Sequence, residues 1–179
     1  MKNILLGVTG SIAAYKSADI ANMLSKRGYN VDVIMTRNAV KFIAPLTLQS
    51  LTKNRVYSDM FDEIYTEDVR HISLAKKADL CIIAPATANI IGKLANGIAD
   101  DMLTTTLLAV KDIPIYICPA MNTNMYENCI VQGNIEKLKN LGYIFIEPKE
   151  SVLACGDLGK GALADVDRII YTIEHALDN

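Results

Sequence analysis

The stretch Asn3-Ile4-Leu5-Leu6-Gly7-Val8-Thr9-Gly10-Ser11-Ile12-Ala13 decides the fold. Residues 3–8 form a short continuous apolar run, the pattern of a strand buried on both faces. Gly10 permits a tight turn. Ser11 can cap a helix or offer its hydroxyl and amide to an anion. As a bare motif the turn serves either purpose equally. Over residues 11–27 apolar side chains recur at Ile12, Tyr15, Ile20, Met23 and Leu24, a helical stripe that ends at Gly28, suited to the C′ position.

Strand, turn and helix then repeat. Residues 31–35, 80–84, 113–118 and 143–146 read as further buried strands, and 90–95, 102–110, 128–141 and 166–177 as helices. Such alternation predicts a parallel sheet covered on both faces. The expected fold is a three-layer, doubly wound α/β domain, Rossmann-like or flavodoxin-like, spanning residues 1–179. Its ligand should lie beyond the carboxyl ends of the strands.

The 179 residues suffice for a core without staples. Eighteen Lys+Arg against 20 Asp+Glu provide no broad basic field for nucleic acid or anionic lipid. With 51% hydrophobic residues, disorder is excluded. Uncharged runs such as 80–92 contain Pro, Thr and Asn and fall short of a membrane span. Met1-Lys2-Asn3 is too short for the leading part of a signal peptide, so a cytoplasmic protein is expected. Its low charge permits self-association.

Cys81, Cys118, Cys129 and Cys155 form no CxxC pair, and two histidines supply no zinc spacing. Cys81 and Cys118 fall in apolar strands and read as small core residues, and Cys129 as a helix residue. Cys155 differs: Gly156, Gly159 and Gly161 surround it, predicting a mobile, non-regular segment, a flap over about 148–165.

A nicotinamide dinucleotide is disfavoured. The first turn is not GxGxxG, and Met35-Thr36-Arg37-Asn38 stands where a ribose-binding acid belongs. After the strand at 80–84, Ala84-Pro85-Ala86-Thr87-Ala88-Asn89 offers small residues on which a planar ring could lie, with Thr87 and Asn89 as partners. The same residues also suit a helix N-terminus. After the strand at 113–118, Cys118-Pro119-Ala120-Met121-Asn122-Thr123-Asn124-Met125-Tyr126 sets an Asn between two Met. That is either a carboxamide aimed into an apolar pocket or a turn Asn. His71 is the candidate imidazole, although a lone His more often serves structure; His175 lies in a polar helix. The acidic residues at 59–68 read as a solvated face without metal spacing.

The order GVTGSIAAYK, His71, APATAN, PAMNTNMY and LACGDLGKG resembles the homo-oligomeric flavin-containing cysteine decarboxylases, from Lys2 to about Asp167. The resemblance implies FMN held by Gly10, Ser11, Ile12, Thr36, Phe42, Thr87, Ala88, Asn89, Ile90 and Ala120. It implies His71 as catalytic histidine, and Asn122 as holder of the substrate carboxylate beside Met121, Met125 and Ala154. Cys155 becomes the active-site thiol on a substrate-covering flap. The implied reaction converts 4′-phosphopantothenoyl-L-cysteine to 4′-phosphopantetheine in coenzyme A biosynthesis. The thiol carbon is oxidised to a thioaldehyde, carbon dioxide leaves to give an enethiol, and FMNH2 returns the electrons.

The chemistry suits the residues. A neutral carboxamide avoids over-binding the carboxylate before reaction. An imidazole with a pKa of about 6.5 can take a thiol proton or orient the substrate. A thiol with a pKa of roughly 8.5 can return a proton. That last step separates this chain from peptidyl-cysteine decarboxylases, which stop at the enethiol. Flavin prenyltransferases would lack PAMN followed by such a cysteine, and phosphatase-regulating relatives usually carry acidic extensions.

The family also implies trimers or trimer-based dodecamers, with neighbouring chains completing the site. With the chain ending at Asn179, a phosphopantothenate–cysteine ligase is expected as a separate polypeptide. Two positions depart from the pattern: Tyr126 replaces a Trp, and Ala162 follows Gly161 where a basic residue is expected.

Overall fold

The computed structural model describes residues 1–61, 69–152 and 158–178. The predicted strands are present as β1 (Asn3–Val8), β2 (Asn30–Met35), β4 (Leu80–Ala86), β5 (Ile115–Pro119) and β6 (Ile144–Phe145), joined by a short β3 (Val56–Tyr57). All are parallel, in the order β3-β2-β1-β4-β5-β6. This is the Rossmann order rather than the flavodoxin one, with its topological switch between β1 and β4. The apolar runs are continuous because both faces of the sheet are covered: Ile4, Leu5, Leu6, Ile82 and Ile83 are all 0–1% exposed. Burying each such side chain contributes about 1.5–3 kcal/mol.

Alternate residues of β1 feed different layers. Ile4, Leu6 and Val8 pack with α1 (Lys16–Lys26), α2 (Pro45–Thr52) and α8 (Val166–Asp178). Leu5 packs on the opposite face with α3 (Arg70–Lys77), α4 (Ala88–Ala95), α5 (Met102–Ala109) and α7 (Cys129–Asn140). Helix α1 ends as expected, with Gly28 at φ +86°, a conformation that costs glycine no Cβ clash. The helix following β5 is split: a short α6 (Thr123–Glu127) precedes α7, and Asn128 caps α7 by accepting the Ile130 N–H at 2.9 Å.

Two expectations change. Ile12 and Tyr15 do not belong to the core stripe of the first helix. Residues Ile12–Tyr15 form a 3-10 turn, and these two side chains are 64% and 59% exposed. The buried face is made instead by Ala13, Ala14, Ser17, Ile20, Ala21 and Leu24, because the tighter turn shifts the phase of the stripe. Second, Gly159 and Gly161 do not lie in irregular chain. They belong to β8 (Leu158–Ala162), which pairs antiparallel with β7 (Lys149–Val152) to form a ribbon.

Those glycines answer a packing demand. A Cβ at Gly161 would stand 2.2 Å from the Met121 carbonyl oxygen, and one at Gly159 would stand 2.4 Å from Thr123 Oγ1. Only a strand without side chains at these positions can lie so close to the backbone after β5.

Candidate functional site

The chain leaves β1 through Thr9, whose side chain is buried at 2% exposure. Its hydroxyl donates to the Pro85 carbonyl at 2.7 Å and accepts the Thr87 N–H at 3.1 Å. One hydroxyl therefore ties the two strand ends on either side of the topological switch. The Ala84–Pro85 peptide is cis. Thr87 is the N-cap of α4, its hydroxyl accepting the Ile90 N–H at 3.4 Å. Across from it, Gly10 fits under the loop after β2: a Cβ there would lie 2.5 Å from the Asn38 Cβ. Ser11 accepts the Ala13 N–H at 3.3 Å and donates to the Ala120 carbonyl at 3.5 Å.

These turns enclose a cavity of about 600 Å³ at the carboxyl end of the sheet. Its walls include Gly10, Ser11 and Ile12 from the first turn, Thr87 and Ala88 from the second, and Ala120, Met121, Asn122 and Met125 after β5. Nine residues expected at the site thus converge, although three separate segments supply them. The ribbon closes the side with Lys149, Ser151, Gly161 and Ala162. Tyr15 and Lys16 complete the rim. The exposed apolar side chains of Ile12 and Tyr15 now have a use as cavity wall. Their spacing from Gly10 was visible in the sequence, but helical periodicity assigned them to the core.

Asn122 is the N-cap of α6, where its Oδ1 accepts the Asn124 N–H at 2.9 Å. This bond fixes the oxygen end of the carboxamide, so the donor end is Nδ2. Its neighbour Tyr126 is buried, and its hydroxyl donates to Glu147 Oε2 at 2.6 Å. Partial burial pushes the Glu147 carboxyl up. Hydrogen bonds from Tyr126, Lys139 and Lys160 outweigh that and hold it at about 2. Burial foremost, then the same Glu147 bond, pushes the Tyr126 phenol well above its usual range. Tyr126 is thus an aromatic packing residue with a hydrogen-bonding end that anchors the wall of the site, a function that Glu147 gave no sign of in sequence.

The remaining expected residues lie elsewhere. Thr36, at the end of β2, accepts the Ala39 N–H at 3.3 Å, and Phe42 is 50% exposed after the next turn. Asn89 is exposed on the first turn of α4, and the Ile90 side chain is buried in the core. His71 is half-buried in the first turn of α3 and is not part of the cavity wall. Ala154 and Cys155 lie outside the described residues. Cys81 and Cys118 are fully buried, as expected. Burial pushes the Cys81 thiol up to about 12 and raises Cys118 further, so neither is a nucleophile. Cys129 is exposed at the start of α7.

The cavity suits a flat, largely apolar ligand with one anionic end. Its volume falls within the roughly 300–1,000 Å³ typical of cofactor and small-molecule sites. Small residues on both sides, Gly10, Ala88, Ala120 and Gly161, let a ring approach backbone. The Ser11 and Thr87 turns begin helical segments, where amides and hydroxyls favour an anion. A flavin mononucleotide fits this donor set.

A doubly wound domain with such a cavity at its switch point defines a mononucleotide-binding α/β protein. The chain belongs to the Flavoprotein family, whose model matches residues 1–178. It is 55% identical over 177 residues to a probable phosphopantothenoylcysteine decarboxylase of Streptococcus mutans, covering 98% of this chain and 99% of that one. It is 52% identical over 173 residues to the coenzyme A biosynthesis bifunctional protein CoaBC of Bacillus subtilis, covering 97% of this chain but 42% of that protein.

Among solved structures, it matches a mutant PPC decarboxylase complexed with pantothenoylaminoethenethiol, with TM-score 0.93, 31% identity and 99% of both chains covered. An FMN-dependent cysteine decarboxylase, SpaF, matches with TM-score 0.85, 32% identity and coverage of 99% and 98%. Among the described residues, no helix is long and apolar enough to cross a membrane.

Proposed function

We propose that this protein is an FMN-dependent phosphopantothenoylcysteine decarboxylase of coenzyme A biosynthesis. The observation that carries the reading is the convergence of the Gly10–Ser11 turn, the Thr87–Ala88 turn and Met121–Asn122 around one cavity, in a chain of the Flavoprotein family. Gly10, Ser11, Ile12, Thr87, Ala88 and Ala120 hold the flavin, with Thr36, Phe42, Asn89 and Ile90 at its periphery. When bound, the flavin supplies reversible two-electron oxidation of the substrate's CH2–SH carbon.

The protein's own residues orient and protonate. Asn122 donates from Nδ2 to the substrate carboxylate, while Met121 and Met125 keep water from it. As the carboxylate leaves as carbon dioxide, the neutral amide loses less binding than a cation would, so it does not stabilise the starting state at the expense of reaction. Cys155 returns a proton to the enethiol carbon. Ala154, its neighbour in sequence, contributes to substrate binding.

His71 serves a cavity other than that of its own chain. It does not line that cavity, and the trimer-based assembly that the family resemblance implies has neighbouring chains completing the site. There it takes the thiol proton or orients the thiol. The protein acts in the cytoplasm, and the ligase that makes its substrate is its pathway neighbour.

Incubating flavin-loaded protein with phosphopantothenoylcysteine and identifying the product by mass tests the reading. Phosphopantetheine with equimolar carbon dioxide is expected. Unchanged substrate in the presence of bound flavin would sink it.

A further inference from the structure

Resting on the decarboxylase reading, we propose that Lys149, supported by Lys16, forms a phosphomonoester-binding subsite at the rim of the cavity, with Asp165 as its resident counter-ion. The cavity wall is mostly apolar, glycine or hydroxyl-bearing. Lys16 at the start of α1 and Lys149 on β7 are the cations in that wall among the described residues. An ammonium group facing an apolar space is unfavourable unless an anion meets it.

In this structure Lys149 Nζ contacts Asp165 Oδ1, and the two side chains are 35% and 65% exposed. The more buried partner is the lysine; the carboxylate reaches it from the solvent side. Lys149 foremost, with further help from Lys16 and Arg168, holds the Asp165 carboxyl below its usual range. Three cations therefore act on one exposed carboxylate, which a dianion could displace.

The register of the ribbon explains why Lys149 is available to a ligand. Lys149 pairs directly with Ala162, and both line the cavity. Opposed residues on an antiparallel pair share a face, with Cβ atoms about 4.5–5.5 Å apart. A methyl group at 162 leaves the lysine stem room to lie across the opening. Asn122 and Lys149 both line this cavity, so with Asn122 addressing the carboxylate end of the substrate, a phosphate at Lys149 would fix its other end. A cation at each end would over-bind a substrate carboxylate. One amide and one ammonium separate the reacting end from the anchoring end.

Two phosphomonoesters enter this cavity, that of the flavin and that of the substrate. The Gly10–Ser11–Ile12 turn already offers amides and a hydroxyl to the first, so the lysine is assigned to the second. The test compares 4′-phosphopantothenoylcysteine with pantothenoylcysteine in the holoenzyme, alongside flavin affinity by fluorescence. Lys149→Met should reduce the KM preference for the phosphorylated substrate by roughly ten- to hundredfold, the range of a charge-assisted hydrogen bond. Lys149→Arg should restore most of it.

Asp165→Asn, which keeps the shape of the side chain but removes its charge, should lower KM for the phosphorylated substrate severalfold. A preference unchanged by Lys149→Met would overturn the proposal. So would a weakened flavin affinity with the preference intact, which would assign the lysine to the flavin phosphate. A KM unchanged or raised by Asp165→Asn would remove the counter-ion from it. If the wild-type holoenzyme turns over neither substrate, the decarboxylase reading itself fails; if it turns over both, only the subsite is at stake.

Discussion

Met121 donates its backbone N–H to the Gly161 carbonyl at 2.9 Å, joining the ribbon to the wall of the site. Close approach is what makes this bond possible, and the missing side chain is what makes the approach possible. The bond places Lys149 and Ser151, on the other strand of the ribbon, over the same cavity that Asn122 faces.

Gly161→Ala should therefore cost stability and flavin affinity together. The new methyl would stand 2.2 Å from a carbonyl oxygen and 3.3 Å from the Thr123 nitrogen, both backbone atoms that cannot swing away. A loss of about 1–3 kcal/mol is expected, as for other overpacked sites. Gly133→Ala is the control of opposite sign. It lies within α7 with nothing inside 4 Å of the added Cβ, so helix propensity alone should raise stability by about 0.5–1 kcal/mol. Urea denaturation of both variants checks the pair.

Thr9→Val keeps shape but removes the hydroxyl that joins the ends of β1 and β4. The Pro85 carbonyl and the Thr87 N–H would lose their partner in a buried position, at a cost of about 1–3 kcal/mol. Because Thr87 starts the second turn of the site, flavin should also dissociate faster. Equal flavin retention would show that the turn is held by other contacts.

Glu147 should shape the acid limb of stability. Its carboxyl is held at about 2 in the folded protein, against an ordinary 4.5. A group with a depressed folded pKa stabilises fully above the unfolded value and loses that contribution as pH falls from about 4.5 towards 2. Melting temperatures of wild type and Glu147→Gln should differ most near neutrality and converge through that window. The difference should be small, since the side chain is 35% exposed and solvent screens its ion pairs with Lys139 and Lys160. A difference that widens as pH falls would reverse the assignment.

Asn122→Asp should separate folding from catalysis. Asp caps a helix as well as Asn does, so α6 and the melting temperature should be kept. A carboxylate facing the substrate's carboxylate should cut turnover by roughly two orders of magnitude, comparable to loss of a key donor in other sites. Cys155→Ser should instead release carbon dioxide and accumulate the oxidised enethiol, detected by mass. Normal phosphopantetheine formation at full rate by that variant would refute the proton-donor assignment.

The sequence by itself determined the layered fold and the position of its turns. Continuous apolar runs such as Ile4-Leu5-Leu6 and Cys81-Ile82-Ile83 can only be buried on both faces. Gly10-Ser11, Thr87 and Asn122 mark the points where the chain leaves a strand, because tight turns and caps have local chemistry. Cys81 and Cys118 were legible as core for the same reason.

What tertiary structure alone decided is which distant segments share a space. Helical period placed Ile12 and Tyr15 in the core, and only the 3-10 turn and the cavity beside it turn them outward. Glycine composition around Cys155 suggested irregular chain, whereas Gly159 and Gly161 sit in a strand pressed against residues 121–123. The family resemblance implies a basic residue at position 162, where this chain has Ala162. The antiparallel register sets Lys149 directly opposite, a pairing across 13 positions that no local pattern encodes. Local steric rules act within a few residues and can be read in order; cavities and cross-strand neighbours arise from closure of the whole chain.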